Sequence, residues 1–280
     1  KQLKKFFCVY VPSADDIHQD GPRKGKYKDK ICKVKPLVQI LGITFLAFFV
    51  MGTLFCIDES IIPYRGLWCA FKVYMKDKPH KFGMKIWMLN CAVTGYCYAF
   101  HIYQGSGDIF PGESKFWLKL WSIGERVLIY FSEKMPLHSY LFTDRYFTTI
   151  KVARWLYEKR GIYLTGTVMR NKKNVPTDIV FSKARSIARG FFTFAWDHLL
   201  PICFVCWMDR SPVLLLSTVL GCDLGTAVKR LACVKDAREF KRVMMQAPLL
   251  AVFYNMFMGG TDAYDRLKLA RNTSLELSVV

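Results

Sequence analysis

Four aspartates stand where they could serve one chemistry. Asp58 closes the apolar run Leu54-Phe55-Cys56-Ile57, and Asp144 closes Tyr140-Leu141-Phe142-Thr143. Asp262 follows Met258-Gly259-Gly260-Thr261, and Asp265 comes one helical turn later. Cleaving or joining a phosphodiester needs a deprotonated oxygen nucleophile and neutralisation of the departing oxyanion, and two Mg²⁺ ions a few ångströms apart supply both. Hard cations take carboxylate oxygens, so such a site draws Asp or Glu from several elements. Acids are scarce here, 22 Asp plus Glu against 41 Lys plus Arg, so each one is worth placing. Taken singly, each aspartate fits a helix or turn cap as well as a ligand. The chemistry depends on whether Asp58, Asp144 and Asp262 meet in space.

The elements that would have to bring them together can be read from periodicity. Residues 13–35 are polar and basic and read as a linker. A helix is expected over about 36–49 with Pro36 in its first turn. A short strand, 54–57, would deliver Asp58, and 60–83, with Pro63, Gly66, Pro79 and Gly83, reads as a lysine-rich loop. Residues 84–103 have the alternation of a hairpin turning at Val93-Thr94-Gly95. Helical spacing runs over 115–132, then a strand over 137–143 leads to Asp144. A helix over 147–159 ends at Gly161, and a strand covers 162–168. This order predicts a mixed α/β core. Residues 170–245 are basic and less periodic, with strand-like runs at 202–208 and 213–219, and read as an inserted module. A closing helix over 256–270 is entered through Gly259-Gly260.

At 280 residues and 52 % hydrophobic, the chain can bury a sizeable core, which excludes global disorder. The net charge of +19 favours a polyanion or an anionic membrane surface as partner, although a solvated basic surface has the same composition. No N-terminal signal peptide is visible, and the ten cysteines are expected as reduced, intracellular thiols. Cys203-Phe-Val-Cys206 is a single CxxC inside an apolar run. Cys222 and Cys233 are spaced too widely for a regular zinc site, so buried free thiols are expected. From Pro36 to Ile57 there is no charge, a length sufficient to span a bilayer, but Gln39, Gly42, Thr44, Gly52 and Thr53 divide it equally well into a helix and a buried strand.

The motifs around the aspartates resemble the piggyBac transposase core. The resemblance is carried by Cys56-Ile57-Asp58-Glu59-Ser60, by Tyr64-Arg65-Gly66 and by the run Tyr74 to Lys85. It continues in Phe142-Thr143-Asp144-Arg145-Tyr146-Phe147, in Gly161 to Lys172, in Trp207-Met208-Asp209 and Leu216-Ser217-Thr218. It closes with Tyr254-Asn255 and Met258 to Asp265. The motifs run in order from about residue 31 to 270, and that order is more specific than any one of them.

The resemblance implies an RNase H-like α/β fold: a basic N-terminal segment 1–30, a core at 31–169 and 246–280, and an insertion module at 170–245. It implies Asp58, Asp144 and Asp262 as catalytic ligands of two Mg²⁺, with Asp58 bridging them and Asp265 as an accessory acid. It also implies metal-dependent cut-and-paste DNA transposition through hairpin ends with a TTAA target, a nuclear location and homodimerisation. No membrane association is expected, because a span at 36–57 would separate the first strand from its sheet. The alternative is a domesticated or decayed transposase-derived protein that binds DNA without catalysis.

Two departures bear on activity: Arg145 stands where the family has Asn, and Leu67 where it has Arg. The chain stops before the family's Cys-rich tail, so a fragment or a domesticated copy is expected. DNA contacts are assigned to Lys76, Lys78 and Lys81, to Arg145, and to Arg170, Lys172 and Lys173. Lys72 and Lys85 lie on the same basic stretch, where Tyr74, His80 and Phe82 could stack on unpaired bases. The clusters Lys229-Arg230 and Lys241-Arg242 are less specific.

Overall fold

The computed structural model describes residues 30–32, 34–64, 71–76, 81–105, 107–181, 187–197, 199–234 and 239–276. The expectations for Leu67, Lys78 and His80 fall outside these residues.

One mixed sheet of nine strands organises the molecule. Its first strand, β1 (Leu54–Pro63), is longer than expected, so Asp58 lies within it and not at its end. The strand continues because its polar side chains find partners: Glu59 pairs with Lys85, and the Ser60 hydroxyl donates to Asp265. Part of the expected loop that follows is also strand, β2 (Lys72–Tyr74). The hairpin is β3 (Phe82–Cys91) and β4 (Cys97–Ile102), with Gly95 at φ +75°, a conformation that suits glycine. β3 lies antiparallel to β1 along its whole length, and on its other edge it pairs first with β2 and then with β4. β5 (Tyr140–Thr143) pairs parallel with β1 and with β6 (Tyr163–Thr167).

Helices cover both faces. α1 (Lys35–Phe48) packs Phe45 against Tyr96 and Phe100. No helix among the described residues is long and apolar enough to cross a membrane. The expected helix over 115–132 is two, α2 (Lys115–Leu120) and α3 (Ile123–Ser132). The break is set by a capping box, in which Ser122 and Glu125 satisfy each other's backbone N–H groups and start a new helix. α4 (Ile150–Arg160) is capped by the Thr149 side chain and ends at Gly161 in the left-handed region.

Residues 170–245 contribute β7 (Phe192–Trp196), β8 (Cys203–Met208) and β9 (Pro212–Ser217), and β9 pairs antiparallel with β6, so these strands extend the same sheet. β10 (Val228–Val234) and β11 (Glu239–Met245) form a separate two-stranded sheet. The chain closes with α5 (Leu249–Phe257), absent from the sequence expectation, and α6 (Gly260–Glu276).

The main core fills the face of the sheet that carries Phe55, Ile57, Trp87 and Leu89, under α3 and α4. On the opposite face, Cys56 and Phe142 pack against Phe253, Phe257 and Met258, and Ile86 and Met88 pack against Phe45 and Tyr264. This second face, under α1, α5 and α6, is the one to which Asp58 belongs, because residues 56, 58 and 60 alternate with the core-facing 55 and 57. Cys203 and Cys206 are free and buried in β8, and desolvation raises both thiols, Cys203 to about 12.

Candidate active site

The parallel pairing of β1 with β5 sets Cys56 opposite Phe142 and Ile57 opposite Thr143. The next step of that register carries Asp58 and Asp144 to neighbouring positions, on strands about 4.8 Å apart. β5 ends there, and the chain turns away after Asp144. The turn is built from small hydroxyl residues: Thr148 Oγ1 donates to Asp144 O at 2.8 Å and lies 2.7 Å from Thr143 Oγ1. That packing requires Gly166 on β6, where a Cβ would stand 2.3 Å from Thr148 Oγ1 and 2.5 Å from Thr143 O. Thr148 and Gly166 therefore position Asp144, although nothing in their own types or spacing announces it.

The Asp144 carboxylate accepts the Tyr146 N–H at 2.9 Å. Burial nevertheless raises its pKa above the usual carboxylate value, and the negative charge of Glu59 adds to the rise. The hydrogen bonds from Tyr146 and Phe147 and the charge of Arg145 pull the other way. Arg145 itself is exposed, and its charge acts on Asp144 less than burial does. Asp58 Oδ1 accepts the Glu59 N–H at 2.8 Å. The two aspartates share neighbours. Tyr254 on α5 touches Thr167 at 3.4 Å, and its hydroxyl is held up to about 12 by burial and then by the charges of Asp144 and Asp58.

Lys85 lies within β3 and is not part of a loop. Its ammonium sits 3.4 Å from Glu59 and 3.9 Å over the Trp87 ring. Burial lowers its pKa, while Glu59, Asp58 and Asp144 in turn oppose that shift.

α6 delivers the remaining acids. It seats on β1 because Gly260 has no side chain: a Cβ there would lie 2.5 Å from Cys56 Sγ and 2.6 Å from Cys91 O. Thr261 is buried against the sheet and accepts Asn90 Nδ2 at 3.4 Å. One turn later Asp265 Oδ1 accepts the Ser60 hydroxyl at 2.6 Å and Lys268 Nζ at 2.7 Å, and Lys268 also donates to Ser60 Oγ at 2.9 Å. Asp265 is thus engaged in holding α6 to β1. Asp262 lies in the first turn of α6, where a carboxylate also suits the helix dipole, and it is exposed.

The donor set suits a hard cation, being carboxylate oxygens on two adjacent strands and on a helix over the same face. Among the described residues, no three His, Cys, Asp or Glu side chains converge on a point that could hold a metal ion.

Of the expected basic contacts, Arg145 adjoins Asp144 in the chain. Lys76 and Lys81 are exposed beside β2 and β3. Arg170 reaches Pro212 O at 3.5 Å, Lys173 is exposed, and Lys172 is partly buried in the turn after β6. Arg230, in one of the less specific basic clusters, bonds Asp209 at 3.0 Å.

Comparison with known proteins shows the family and the fold of the chain. The family model described as Transposase IS4 matches residues 14–276. The human PiggyBac transposable element-derived protein 3 is 30 % identical over 247 residues, which is 85 % of this chain and 38 % of that protein. The human Chimeric ERCC6-PGBD3 protein is also 30 % identical over 247 residues, 21 % of its length. A cryo-EM structure of the piggyBac transposase synaptic complex with hairpin DNA superposes with a TM-score of 0.67 at 24 % identity, covering 85 % of this chain and 45 % of that one. The chain belongs to the Transposase IS4 family, and within it is similar to the piggyBac-derived proteins. The fold is accordingly RNase H-like. The chain spans less than half the length of each of these relatives.

Proposed function

We propose that the chain is the catalytic part of a piggyBac-type transposase, acting on the phosphodiester backbone of DNA with Asp58, Asp144 and Asp262 as its metal ligands. The observation that carries this is the register of β1 and β5, which makes Asp58 and Asp144 neighbours on the face that α6 covers. Mg²⁺ held by these carboxylates would activate an oxygen nucleophile and stabilise the leaving oxygen. The protein's own part is positional. Thr143, Thr148 and Gly166 fix Asp144, and the Ser60–Asp265–Lys268 contacts fix α6 and with it Asp262. Asp144 in a desolvated place, next to Glu59, carries negative charge that a divalent cation would relieve.

DNA is the proposed partner. The excess of basic residues supports it, as does the relative whose solved structure holds hairpin DNA. A TTAA target, work as a homodimer and a nuclear location belong to the same proposal. A second reading, DNA binding without chemistry, draws on the exposed position of Asp262.

A strand-nicking assay on supercoiled plasmid with added Mg²⁺ separates the two. Metal-dependent nicking by the native chain and its loss in Asp58→Asn are expected. Equal nicking by both proteins removes Asp58 from the mechanism, and DNA binding without nicking by either supports the second reading.

A further inference from the structure

Away from the aspartates, one exposed feature has the chemistry of a ligand site. Tyr74 on β2 and Phe82 on β3 are paired across the strands, with ring centroids 5.0 Å apart and planes at 48°. Both rings stay open to solvent, 57 % for Tyr74 and 53 % for Phe82. They meet at an angle and do not lie flat on each other, and more than half of each residue's surface is open. The surroundings are cationic: Lys72 Nζ lies 5.6 Å from the Phe82 centroid, and Lys76 and Lys81 are exposed beside the pair. Cross-strand aromatic pairs also hold edge strands together. That role alone needs neither such open ring faces nor a surrounding group of lysines.

The sheet aims this pair. Asp58 is directly opposite Met88, so even-numbered residues of β3 share its face, Phe82 among them. Tyr74 is opposite Phe82 and Lys72 opposite Met84, which puts both on that face too. From Met88 to Phe82 is six residues of strand, about 20 Å at roughly 3.4 Å per residue. That distance matches about six nucleotides at roughly 3.4 Å per stacked step.

We propose that Tyr74 and Phe82 form a stacking platform for an unpaired base of the DNA substrate, about six nucleotides from the phosphodiester held at Asp58. The proposal rests on the DNA-cleaving function proposed above and adds where and how a non-duplex strand is gripped. Flat aromatic faces take any base, and the lysines hold the backbone on either side, so the platform selects for unpaired structure over sequence.

The test uses the full chain and two labelled DNAs of the same sequence, one fully duplex and one with a ten-nucleotide single-stranded overhang, with binding read by fluorescence anisotropy. The double variant Tyr74→Leu/Phe82→Leu keeps an apolar cross-strand contact and removes both π faces. It is expected to lose about tenfold in affinity for the overhang DNA, with duplex binding within about twofold of native and an unchanged melting temperature. The variant Tyr74→Phe is expected to bind as the native chain does. A 2-aminopurine stepped along the overhang should be quenched most strongly near the sixth position in the native chain only. Equal losses on both DNAs, or none, assign the rings to edge-strand packing and overturn the platform while leaving the proposed function in place. If the native chain binds neither DNA, both proposals fall together.

Discussion

Asp144 and Asp209 occupy the same kind of place: each follows the last residue of a core strand, β5 and β8. Their surroundings are opposite. Asp209 is held between two guanidiniums, Arg189 at 2.7 Å and Arg230 at 3.0 Å, which tie the segment before β7 and the β10–β11 sheet to the main sheet. Its charge is spent within the structure. Asp144 receives backbone N–H groups, but desolvation and the neighbouring Glu59 outweigh them and its pKa rises. A carboxylate kept in a place that disfavours its charge is a candidate for function, whereas one neutralised by two arginines ties elements together. The contrast is invisible in the sequence, where both are an Asp after an apolar run.

Substituting each aspartate should break that symmetry. Asp144→Asn should lower Mg²⁺-dependent nicking by more than about 100-fold, beyond the roughly 10–100-fold typical of losing an outer-shell partner of a metal. Asp209→Asn should leave nicking within a few-fold of native. Retained activity in the first, or abolished activity in a folded second, would reverse the assignment of the two residues.

The next effect is on the helix that brings Asp262. Gly260→Ala places a methyl 2.5 Å from Cys56 Sγ and 2.6 Å from a backbone carbonyl that has little freedom to move. A loss of about 1–3 kcal/mol in denaturant unfolding is expected, with nicking reduced as α6 lifts from β1. For Asp209→Asn the expected loss is smaller, about 1–2 kcal/mol. The ion pairs are only partly buried and solvent screens them, but two guanidiniums lose a charged acceptor.

The smallest effect is the most pointed. An aspartate whose folded pKa is raised binds more protons in the native than in the unfolded state between its ordinary value and the raised one. Stability therefore falls as pH climbs through that window, from 3.8 upward, and stays lower at neutral pH. Asp144→Asn removes this term. Its melting temperature at pH 7 should exceed the native one, and the advantage should vanish below pH 3.8. Asp209→Asn should show no such gain at pH 7. A native melting temperature equal to or above that of Asp144→Asn at neutral pH would show that the Asp144 charge is well accommodated.

Much of the scaffold was legible because local rules and tertiary structure agree. The hairpin turn at Gly95, the Gly161 stop of α4, and the entry of α6 through Gly260 all follow from residue type and spacing. The errors have physical causes. β1 extends past Asp58 because Glu59 and Ser60 are satisfied by Lys85 and Asp265, partners that lie far away in the chain. α5 is apolar on nearly every side, so its sequence has no helical stripe to read. The split between α2 and α3 was readable in the Ser122-x-x-Glu125 pattern. For the site, the aspartates were found by their motif neighbours. Gly166, Thr148 and Lys268 matter only through contacts that no single element contains.

The seating of α6 on β1 has a consequence for the chain while it is being made. Synthesis proceeds from the N-terminus, and early segments begin to fold before late ones emerge. Asp58 and Asp144 are thus laid down well before Gly260, and until α6 arrives Cys56, Ser60 and Asn90 face the space that it will fill. Closure of this face therefore waits on the synthesis of Gly260 and Thr261. A chain broken upstream of residue 260 would carry two of the acids and an open apolar seam, a product that quality-control machinery can recognise.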